Sequence, residues 1–240
     1  DIQIQLVEVP GIIDGVSAGK GMGLQLMSSV RTADAMLILI DGSNDPAKQL
    51  KTLLTELDNG GIKVNRRRPD ISIKKHVMGG INIVGTKHIK ADIQDVKEIL
   101  MDFRITSGLV VVREDVTLTD IQEALDYSTT YKRALVLVTK ADMMPPGTVE
   151  ALRKALPRFT FCPISVTTGQ GLEGIPQKIY EVAQIKRIFT KTPGEKPAYP
   201  PVAMKPGATV YDVARKVHKD IAKNFKYARV WGGSVKFGGQ

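Results

Sequence analysis

Two short runs of consecutive apolar residues, each followed at once by polar residues, constrain the fold of this chain most strongly. They occupy residues 35–40 and 134–138. A strand that is apolar on both faces is typical of a parallel sheet covered by helices on each side. Because helical spacing lies between such strands, we predict an α/β fold with a mostly parallel sheet. Ligands of these folds bind beyond the carboxyl ends of the strands, so polar residues there are candidate site residues.

Other segments supply further strands and helices for this arrangement. Apolar spacing and breaker residues predict strands over residues 2–9 and 159–164, and helices over residues 24–32, 46–57, 148–156 and 172–185. Asn44 or Asp45 would cap the second helix, and the two glycines at 60 and 61 would end it.

The composition excludes several classes of protein. No apolar run approaches the roughly 18 residues that cross a bilayer, and no basic start precedes an apolar signal core. We therefore expect a cytoplasmic protein without membrane contact. The single cysteine, Cys162, cannot form a disulfide within the chain, and the three histidines lack the spacing of metal ligands. We assign no metal to these residues.

The positive charge of the chain is concentrated in two blocks. The net charge is +9, but residues 61–90 hold eight Lys and Arg against one Asp, and residues 183–240 hold twelve against three acidic residues. Attraction to polyanions depends on such clustering rather than on the total charge. We expect an acidic α/β body, a basic insert and a basic C-terminal module.

The first polar motif, Glu8-Val-Pro-Gly11, ends the first predicted strand and opens a glycine-dense loop that reaches Gly23. A carboxylate at a strand end can hold Mg²⁺ through water, and the Gly11 amide can bond a terminal phosphate oxygen. An ordinary flexible loop is the alternative interpretation. Residues 15–21 resemble a phosphate-binding loop, but the run is one residue short and has Gly21 at the hydroxyl position, so we reject it.

Two further motifs follow the next predicted strands: Thr139-Lys-Ala-Asp142 and Ser165-Val166. The Asp142 carboxylate can accept two N–H bonds from the guanine edge, while the stem of Lys140 packs across the base plane. The Val166 amide can meet the guanine carbonyl oxygen. Adenine presents the wrong donors and acceptors to that carboxylate, which would exclude ATP. Chance charges at solvated strand ends are the alternative.

Together these motifs resemble the Obg-class GTPases, specifically the developmentally regulated GTP-binding protein family and its compact archaeal members. The family motifs D-x-P-G-I, N-K-x-D and S-A correspond to residues 8–12, 139–142 and 165–166. Glu8 and Thr139 depart from the pattern, because the family has Asp and Asn there. The resemblance implies a P-loop-GTPase-type, mostly parallel sheet with an inserted small α/β domain, similar to a ribosomal-protein domain, and a C-terminal β-grasp domain of the TGS type.

The resemblance also implies a division of the chain. Residues 1–60 and 132–185 would form the GTPase domain, residues 61–131 the basic insert, and residues 186–240 the TGS-type domain. In the family, the phosphate-binding loop and switch I precede the position of Asp1, and further β-grasp strands follow that of Gln240. We therefore expect this chain by itself to bind GTP weakly or not at all, and not to hydrolyse it.

The cofactors that the resemblance implies are GTP or GDP, Mg²⁺ and a monovalent cation. The implied partners are the ribosome or structured RNA and a regulatory protein of the family. The expected GTP-binding residues are Gly11, Thr139, Lys140, Asp142, Ser165 and Val166, and Glu8 would hold Mg²⁺ through water. No catalytic residue is assigned, because Ile12 stands where Ras-like enzymes have a water-orienting Gln, and slow hydrolysis is implied.

Basic residues in both positive blocks are candidate contacts for RNA phosphates. They are Arg66, Arg67, Arg68, Lys74, Lys75, Lys216, Lys219, Lys223 and Lys226. In the C-terminal module, Thr209 and Asp212 predict a capping box for a helix that reaches Phe225. Trp231 is interpreted as a core residue, with base stacking as the alternative.

The leading hypothesis is a GTP-hydrolysing molecular switch in translation or ribosome function. One alternative is an RNA- or ribosome-binding module whose nucleotide site is degenerate and does not hydrolyse GTP. Another is a scaffold that recruits proteins through the β-grasp domain. Association through phosphate contacts would weaken steeply with salt, whereas association of the scaffold would not.

Overall fold

A computed structural model of the chain describes residues 2–9, 22–192, 194–233 and 235–239, without the side chains of residues 22–26. The chain divides into two compact units, one of residues Val9–Ile175 and one of Asp1–Glu8 with Pro176–Gln240. Among the described residues, no helix combines the length and apolar character needed to cross a membrane.

The helices and strands of the first unit follow one another in a regular α/β pattern. In chain order they are α1 (Met22–Thr32), β1 (Met36–Asp41), α2 (Pro46–Asn59), β2 (Ile62–Val64), β3 (Ile71–Lys75), β4 (Ile81–Val84), α3 (Ile93–Asp102), β5 (Gly108–Val112), α4 (Leu118–Leu125), β6 (Thr130–Lys132), β7 (Ala134–Thr139), α5 (Thr148–Ala155) and β8 (Thr160–Pro163). Helix α6 (Ile175–Ala183) follows and leads into the second unit.

A parallel sheet of order β1-β7-β8 is the centre of the first unit. Its register runs from Met36 opposite Ala134 to Asp41 opposite Thr139, so β1 and β7 end at the same level. One face of the sheet packs against α1, α2 and α5 through a buried apolar cluster that includes Ile38, Ile40, Leu50, Leu57, Val136, Val138, Leu152 and Phe161. The α/β class and the parallel sheet predicted from the apolar runs are confirmed.

The caps of α2 explain why this helix begins and ends where it does. The Asp45 side chain accepts a hydrogen bond from the Lys48 amide at 3.1 Å, which satisfies one of the free N–H groups of the first turn. Gly60 closes the helix, and Gly61 follows it with a φ of +71°, a conformation that glycine adopts without steric cost. Asp45, one of the two predicted caps, is therefore the cap in the structure.

The prediction of a strand over residues 2–9 is wrong. The segment belongs to no strand, and the side chains of Ile4, Leu6 and Val7 are exposed. Alternating apolar residues favour a strand only where a neighbouring strand supplies backbone partners. No such ladder forms along this described segment.

Between β2 and β6 the chain forms an inserted subdomain, residues 65–129, with a core of its own. Strand β5 lies between β3, which is antiparallel to it, and β4, which is parallel. Helices α3 and α4 cover one face of this sheet, and their buried residues include Val96, Leu100 and Ile121. The parallel pair of β2 and β6 forms the neck through which the chain enters and leaves the subdomain.

The second unit contains an antiparallel pair, β9 (Lys186–Ile188) and β10 (Val202–Met204), and two helices, α7 (Val210–Val217) and α8 (Lys219–Lys223). Thr209 and Asp212 form the predicted capping box of α7. The prediction of one helix as far as Phe225 is wrong, because the backbone of His218 is extended and ends α7. The His218 ring then accepts a hydrogen bond from the Asp220 amide at 3.2 Å and caps α8.

Candidate functional site

The carboxyl ends of β1, β7 and β8 form a continuous edge at which three loops begin. The Gly42 amide donates to the Thr139 carbonyl at 2.9 Å, and the Ala141 amide donates to the Ile164 carbonyl at 3.0 Å. The hydrogen-bond network of the sheet therefore continues past the last residues of the strands. A Cβ at position 42 would lie 2.7 Å from the Thr139 oxygen, so glycine permits this close approach.

Lys140 and Asp142 lie in the loop after β7. Lys140 adopts the left-handed conformation, with φ of 55° and ψ of 43°, which costs a non-glycine residue about 1–2 kcal/mol. This turn of the backbone leads into a short 3₁₀ helix, Ala141–Met143, on which Asp142 is exposed. The Asp142 carboxylate has no hydrogen-bond or ion-pair partner among the described residues, so its acceptor oxygens face solvent.

Asp41 at the end of β1 contacts Lys140 across the edge of the sheet. The Lys140 Nζ lies 2.6 Å from Asp41 Oδ2, and Ser43 donates to Oδ1 from its amide at 2.9 Å and from its hydroxyl at 2.6 Å. Chiefly because Lys140 donates to it, and also because Ser43 does, the pKa of Asp41 falls from 3.8 to about 2. The Asp41 carboxylate therefore stays charged at any pH near neutrality.

Sequence reasoning did not single out Asp41. Its position at the end of an apolar run was visible, but the pairing of β1 with β7 was not. In the structure Asp41 lies directly opposite Thr139, 98 residues further along the chain. The sequence did show that each of these two apolar runs is followed by a polar residue. Because the carboxyl ends of parallel strands lie at the same edge of a sheet, that pattern could have pointed to Asp41.

The hydroxyl of Thr139 is engaged within the sheet. It donates to the Ile40 carbonyl at 3.1 Å and so joins β7 to β1. A side-chain amide such as the family's Asn would extend further from the strand end than this hydroxyl does. In this structure Thr139 therefore supports the edge of the sheet through a contact with the neighbouring strand.

The loop after β8 is closed by Ser165. Its amide donates to the Gln170 carbonyl at 3.0 Å, and its hydroxyl accepts from the Thr168 amide at 3.2 Å. Ser165 is 1% exposed, whereas the Val166 side chain beside it is 80% exposed. The contacts of Ser165 leave Val166 at the outer surface of the same edge that carries Lys140.

The predicted phosphate and metal contacts are not described together with these residues. Gly11, Ile12 and the glycine-dense loop as far as residue 21 lie outside the described residues. Glu8 is exposed and belongs to the other compact unit. No three His, Cys, Asp or Glu side chains of the described part of the chain are grouped as ligands for a metal ion.

The three consecutive arginines of the predicted RNA-binding set are engaged within the protein. Arg66 lies 3.5 Å from Glu123 and 3.7 Å from Asp58, and Arg67 pairs with Glu114. Arg68 donates to the Ala124 carbonyl at 2.7 Å and lies over the ring of Tyr127. Arg66 and Arg67 are therefore paired with carboxylates, whereas Arg68 contacts a carbonyl and an aromatic ring, and all three side chains reach the surface.

The predicted lysines divide into engaged and exposed groups. Lys216 donates to the Ala203 carbonyl at 2.6 Å, and Lys223 lies 3.9 Å from Asp220. The other four are exposed and form no ion pair or side-chain hydrogen bond with another described residue: Lys74, Lys75, Lys219 and Lys226. Because side chains alternate along β3, Lys74 and Lys75 project from opposite faces of its sheet.

Trp231 is not a core residue. Its side chain is 55% exposed, and the ammonium group of Lys191 lies 5.4 Å from the ring centroid. The expectation of core packing for this tryptophan is therefore wrong. A cation over an indole ring is a favourable contact that does not require burial.

Comparison with known families identifies two matching segments. The family described as the C-terminal region of MMR_HSR1 domain matches residues 78–185, and the TGS domain family matches residues 186–238. The chain is 38% identical to an uncharacterized GTP-binding protein of Methanocaldococcus jannaschii over 99% of its own length and 61% of the relative's. It is 35% identical to developmentally-regulated G-protein 3 of Arabidopsis thaliana, over 98% and 63% of the two chains.

A relative from an animal shows the same extent of similarity. Developmentally-regulated GTP-binding protein 1 of Xenopus laevis is 34% identical, over 98% of this chain and 64% of its own length. Over 98% of its length, this chain is similar to members of the developmentally regulated GTP-binding protein family. The resemblance inferred from the motifs is confirmed, as is a TGS domain at the C-terminus. The chain spans somewhat over three fifths of the length of these relatives.

The similarity to the developmentally regulated GTP-binding protein family makes a guanine nucleotide the ligand with which the residues of the sheet edge are compared. This edge presents an exposed carboxylate, a lysine stem and an exposed residue after β8, all in loops that follow neighbouring strands of one sheet. Carboxylate acceptors and a long aliphatic stem are the groups that suit the N–H edge and the flat face of guanine. The residues present therefore fit a guanine base.

Proposed function

We propose that this chain carries the guanine-recognition part of a GTP-binding protein that hydrolyses GTP as a molecular switch in translation or ribosome function. One observation carries the proposal. Asp142 is exposed and free of partners among the described residues, on the 3₁₀ turn that Lys140 starts. Lys140 itself is held by Asp41 at 2.6 Å, so the loop presents a defined surface to a base.

The proposed recognition depends on the hydrogen-bonding groups by which guanine differs from adenine. Guanine offers two adjacent N–H groups, which the carboxylate of Asp142 would accept as charge-assisted hydrogen bonds. Adenine offers a single donor beside an acceptor, which would leave the carboxylate poorly paired after it has lost its water. The backbone amide of Val166 is the proposed donor to the guanine carbonyl. Thr139 and Ser165 would act by holding the two loops at the sheet edge.

The proposal includes GTP or GDP, Mg²⁺ and a monovalent cation as cofactors. Glu8 is the residue proposed to hold Mg²⁺ through water, a form of coordination that this ion commonly keeps. When bound, Mg²⁺ neutralises charge on the phosphate oxygens. Gly11 is the proposed donor to the terminal phosphate, and Ile12 has no group that orients water, so slow hydrolysis is expected.

The test of guanine recognition is a nuclear magnetic resonance titration of the chain with GDP and ADP. We expect GDP to shift the resonances of the backbone amides of Lys140, Asp142 and Val166. We expect ADP to bind at least about 100-fold more weakly than GDP. Asp142→Asn should weaken GDP binding and strengthen binding of xanthosine diphosphate, because its amide can donate to the additional carbonyl oxygen of xanthine. Glu150→Gln, a change in an exposed carboxylate on α5, is the matched control.

The outcomes separate the hypotheses for the nucleotide site. Equal binding of GDP and ADP, or a GDP affinity unchanged by Asp142→Asn, would refute guanine recognition. Selective binding of GDP by this chain, combined with no GTP turnover by a protein that also carries the family's phosphate-binding loop, in the presence of Mg²⁺ and K⁺, would favour a site that recognises nucleotide but does not hydrolyse it.

We further propose that the exposed lysines contact RNA on the ribosome or in another structured RNA. The support is that Lys74, Lys75, Lys219 and Lys226 are exposed, in blocks of strongly positive charge.

Replacing Lys74 and Lys75 by Gln should weaken binding to a transfer RNA. It should also make the fall of log affinity with log salt shallower, by about 1 in slope for each phosphate that is no longer neutralised. Replacing the exposed lysines Lys48 and Lys51 on α2 by Gln is the matched control, because it removes the same charge outside both positive blocks. Salt-independent association would favour the scaffold hypothesis instead.

A further inference from the structure

The two carboxylate oxygens of Asp41 have separate partners. Oδ1 accepts two hydrogen bonds from Ser43, from its amide at 2.9 Å and its hydroxyl at 2.6 Å. Oδ2 lies 2.6 Å from Lys140 Nζ. One oxygen therefore shapes the turn after β1, and the other contacts the loop after β7.

The position of Asp41 is determined from several directions. Its amide donates to Gln49 Oε1 at 3.0 Å, and the Gln49 amide group donates back to the Asp41 carbonyl at 3.1 Å. Thr139 lies opposite Asp41 in the parallel ladder. Helix α2 and strand β7 thus both hold the backbone from which this carboxylate projects.

Lys140, in contrast, has a long side chain that is 54% exposed. A lysine in water samples many rotamers, and its ordering opposes binding of any ligand that it contacts. The ion pair with Asp41 restricts the ammonium group to the sheet edge before a ligand arrives. Because Nζ is fixed at one end and the backbone at the other, the aliphatic stem between them is held in a limited set of conformations.

We propose that Asp41 is a positioning residue for guanine nucleotide, which holds the stem of Lys140 in place as a platform for the purine ring. This inference rests on the proposed function, since it needs a base to lie beside Asp142. Asp41 itself would not touch the base. Its effect would pass through Lys140 alone.

Because Oδ1 contacts Ser43 and Oδ2 contacts Lys140, a role of Asp41 in positioning Lys140 can be tested separately from a role in the turn after β1. Asp41→Asn retains a carbonyl oxygen that can accept both hydrogen bonds from Ser43, so the turn after β1 should persist. The same change removes the negative charge that attracts Lys140 Nζ. A purely structural role would therefore survive the substitution, whereas a positioning role would not.

The test is a double-mutant cycle in the full chain, with GDP as the probe and the melting temperature as a control for folding. We expect Asp41→Asn to lower the affinity for GDP by about tenfold, within the range of measured pairwise couplings. We expect the same substitution to have little further effect when Lys140→Met is already present. Glu150→Gln, which removes a carboxylate from an exposed pair with Arg153, should leave the affinity unchanged.

Each other outcome overturns the inference. An unchanged affinity, or effects that simply add in the double variant, would show that Asp41 does not act through Lys140. A higher affinity in Asp41→Asn would show that Asp41 withholds Lys140 from the nucleotide. If Asp142→Asn alters base selectivity while Asp41→Asn has no effect, the inference fails and the proposed function stands. If the unsubstituted chain does not prefer GDP to ADP, both fail.

Discussion

The side-chain amide of Asn65 pairs with both backbone groups of Ala134. Asn65 Nδ2 donates to the Ala134 carbonyl at 2.9 Å, and the Ala134 amide donates to Asn65 Oδ1 at 2.7 Å. Asn65 directly follows β2, and Ala134 is the first residue of β7. These two bonds therefore close the neck of the inserted subdomain onto the strand that leads to the candidate nucleotide site.

Substitution of Asn65 should destabilise the protein through both its side chain and its backbone. Asn65→Ala removes the partners of two half-buried backbone groups and places alanine at a φ of 50°, so we expect the free energy of unfolding to fall by about 2–4 kcal/mol. Asn65→Gly removes the same bonds but adopts this φ freely, and should be about 1 kcal/mol less destabilised. Urea unfolding measures both, and an alanine variant as stable as the unsubstituted chain would contradict the role of this amide.

Gly171 should tolerate a side chain much less well than Gly169. Both have positive φ, of +73° and +78°, but a Cβ at 171 would lie 2.4 Å from the Pro163 carbonyl, whereas a Cβ at 169 meets nothing within 4 Å. We expect alanine at 169 to cost about 1 kcal/mol from the backbone alone. Alanine at 171 should cost at least about 2 kcal/mol more, because the backbone around it must shift. Thermal unfolding compares the two, and equal effects would argue against the predicted clash.

Tyr131 should ionise only at high pH. Desolvation, followed by the nearby charge of Glu123, raises the pKa of Tyr131 from 10.0 to about 12. Because the folded-state pKa lies above the unfolded value, the contribution of this group to stability is complete below pH 10 and is lost as the pH rises through about 12. The difference in tyrosinate absorbance between the unsubstituted chain and Tyr131→Phe measures its titration. A midpoint near 10 would show that the phenol is not held in this environment.

The core between α2 and the parallel sheet should be far more sensitive to truncation than the opposite face of β1. Leu57 is 0% exposed in that core, whereas Leu39 on β1 is 60% exposed. Leu57→Ala should lower the free energy of unfolding by roughly 2–5 kcal/mol, because it removes buried carbon atoms and leaves a cavity. Leu39→Ala, the same chemical change, should stay within about 0.5 kcal/mol. Similar decreases at both positions would mean that Leu39 is also covered by packing.

Much of the fold followed from patterns that are local in the sequence. The continuous apolar runs predicted β1 and β7, helical spacing predicted α1, α2, α5 and α6, and the polar residues after β7 and β8 predicted where a site would lie. These predictions hold because the apolar pattern of a strand and the capping of a helix depend on residues within one strand or one turn. The expected burial on both faces is seen in β7 but not in β1, where Leu39 is exposed. The family motifs at Lys140, Asp142 and Ser165 were likewise visible without a structure.

The tertiary structure decided what depends on distant partners. It brought Asp41 to Lys140, paired the arginines at 66–68 with groups that include Glu114 and Glu123, and left residues 2–9 outside any described strand. In each case the outcome depends on which charges and backbone groups meet across the fold. Sequence alone determined which segments form the strands and helices of the sheet domain, because the local spacing of apolar residues controls which side chains can be buried together. Only the folded arrangement determined which charges compensate one another, because electrostatic partners are chosen by distance in space.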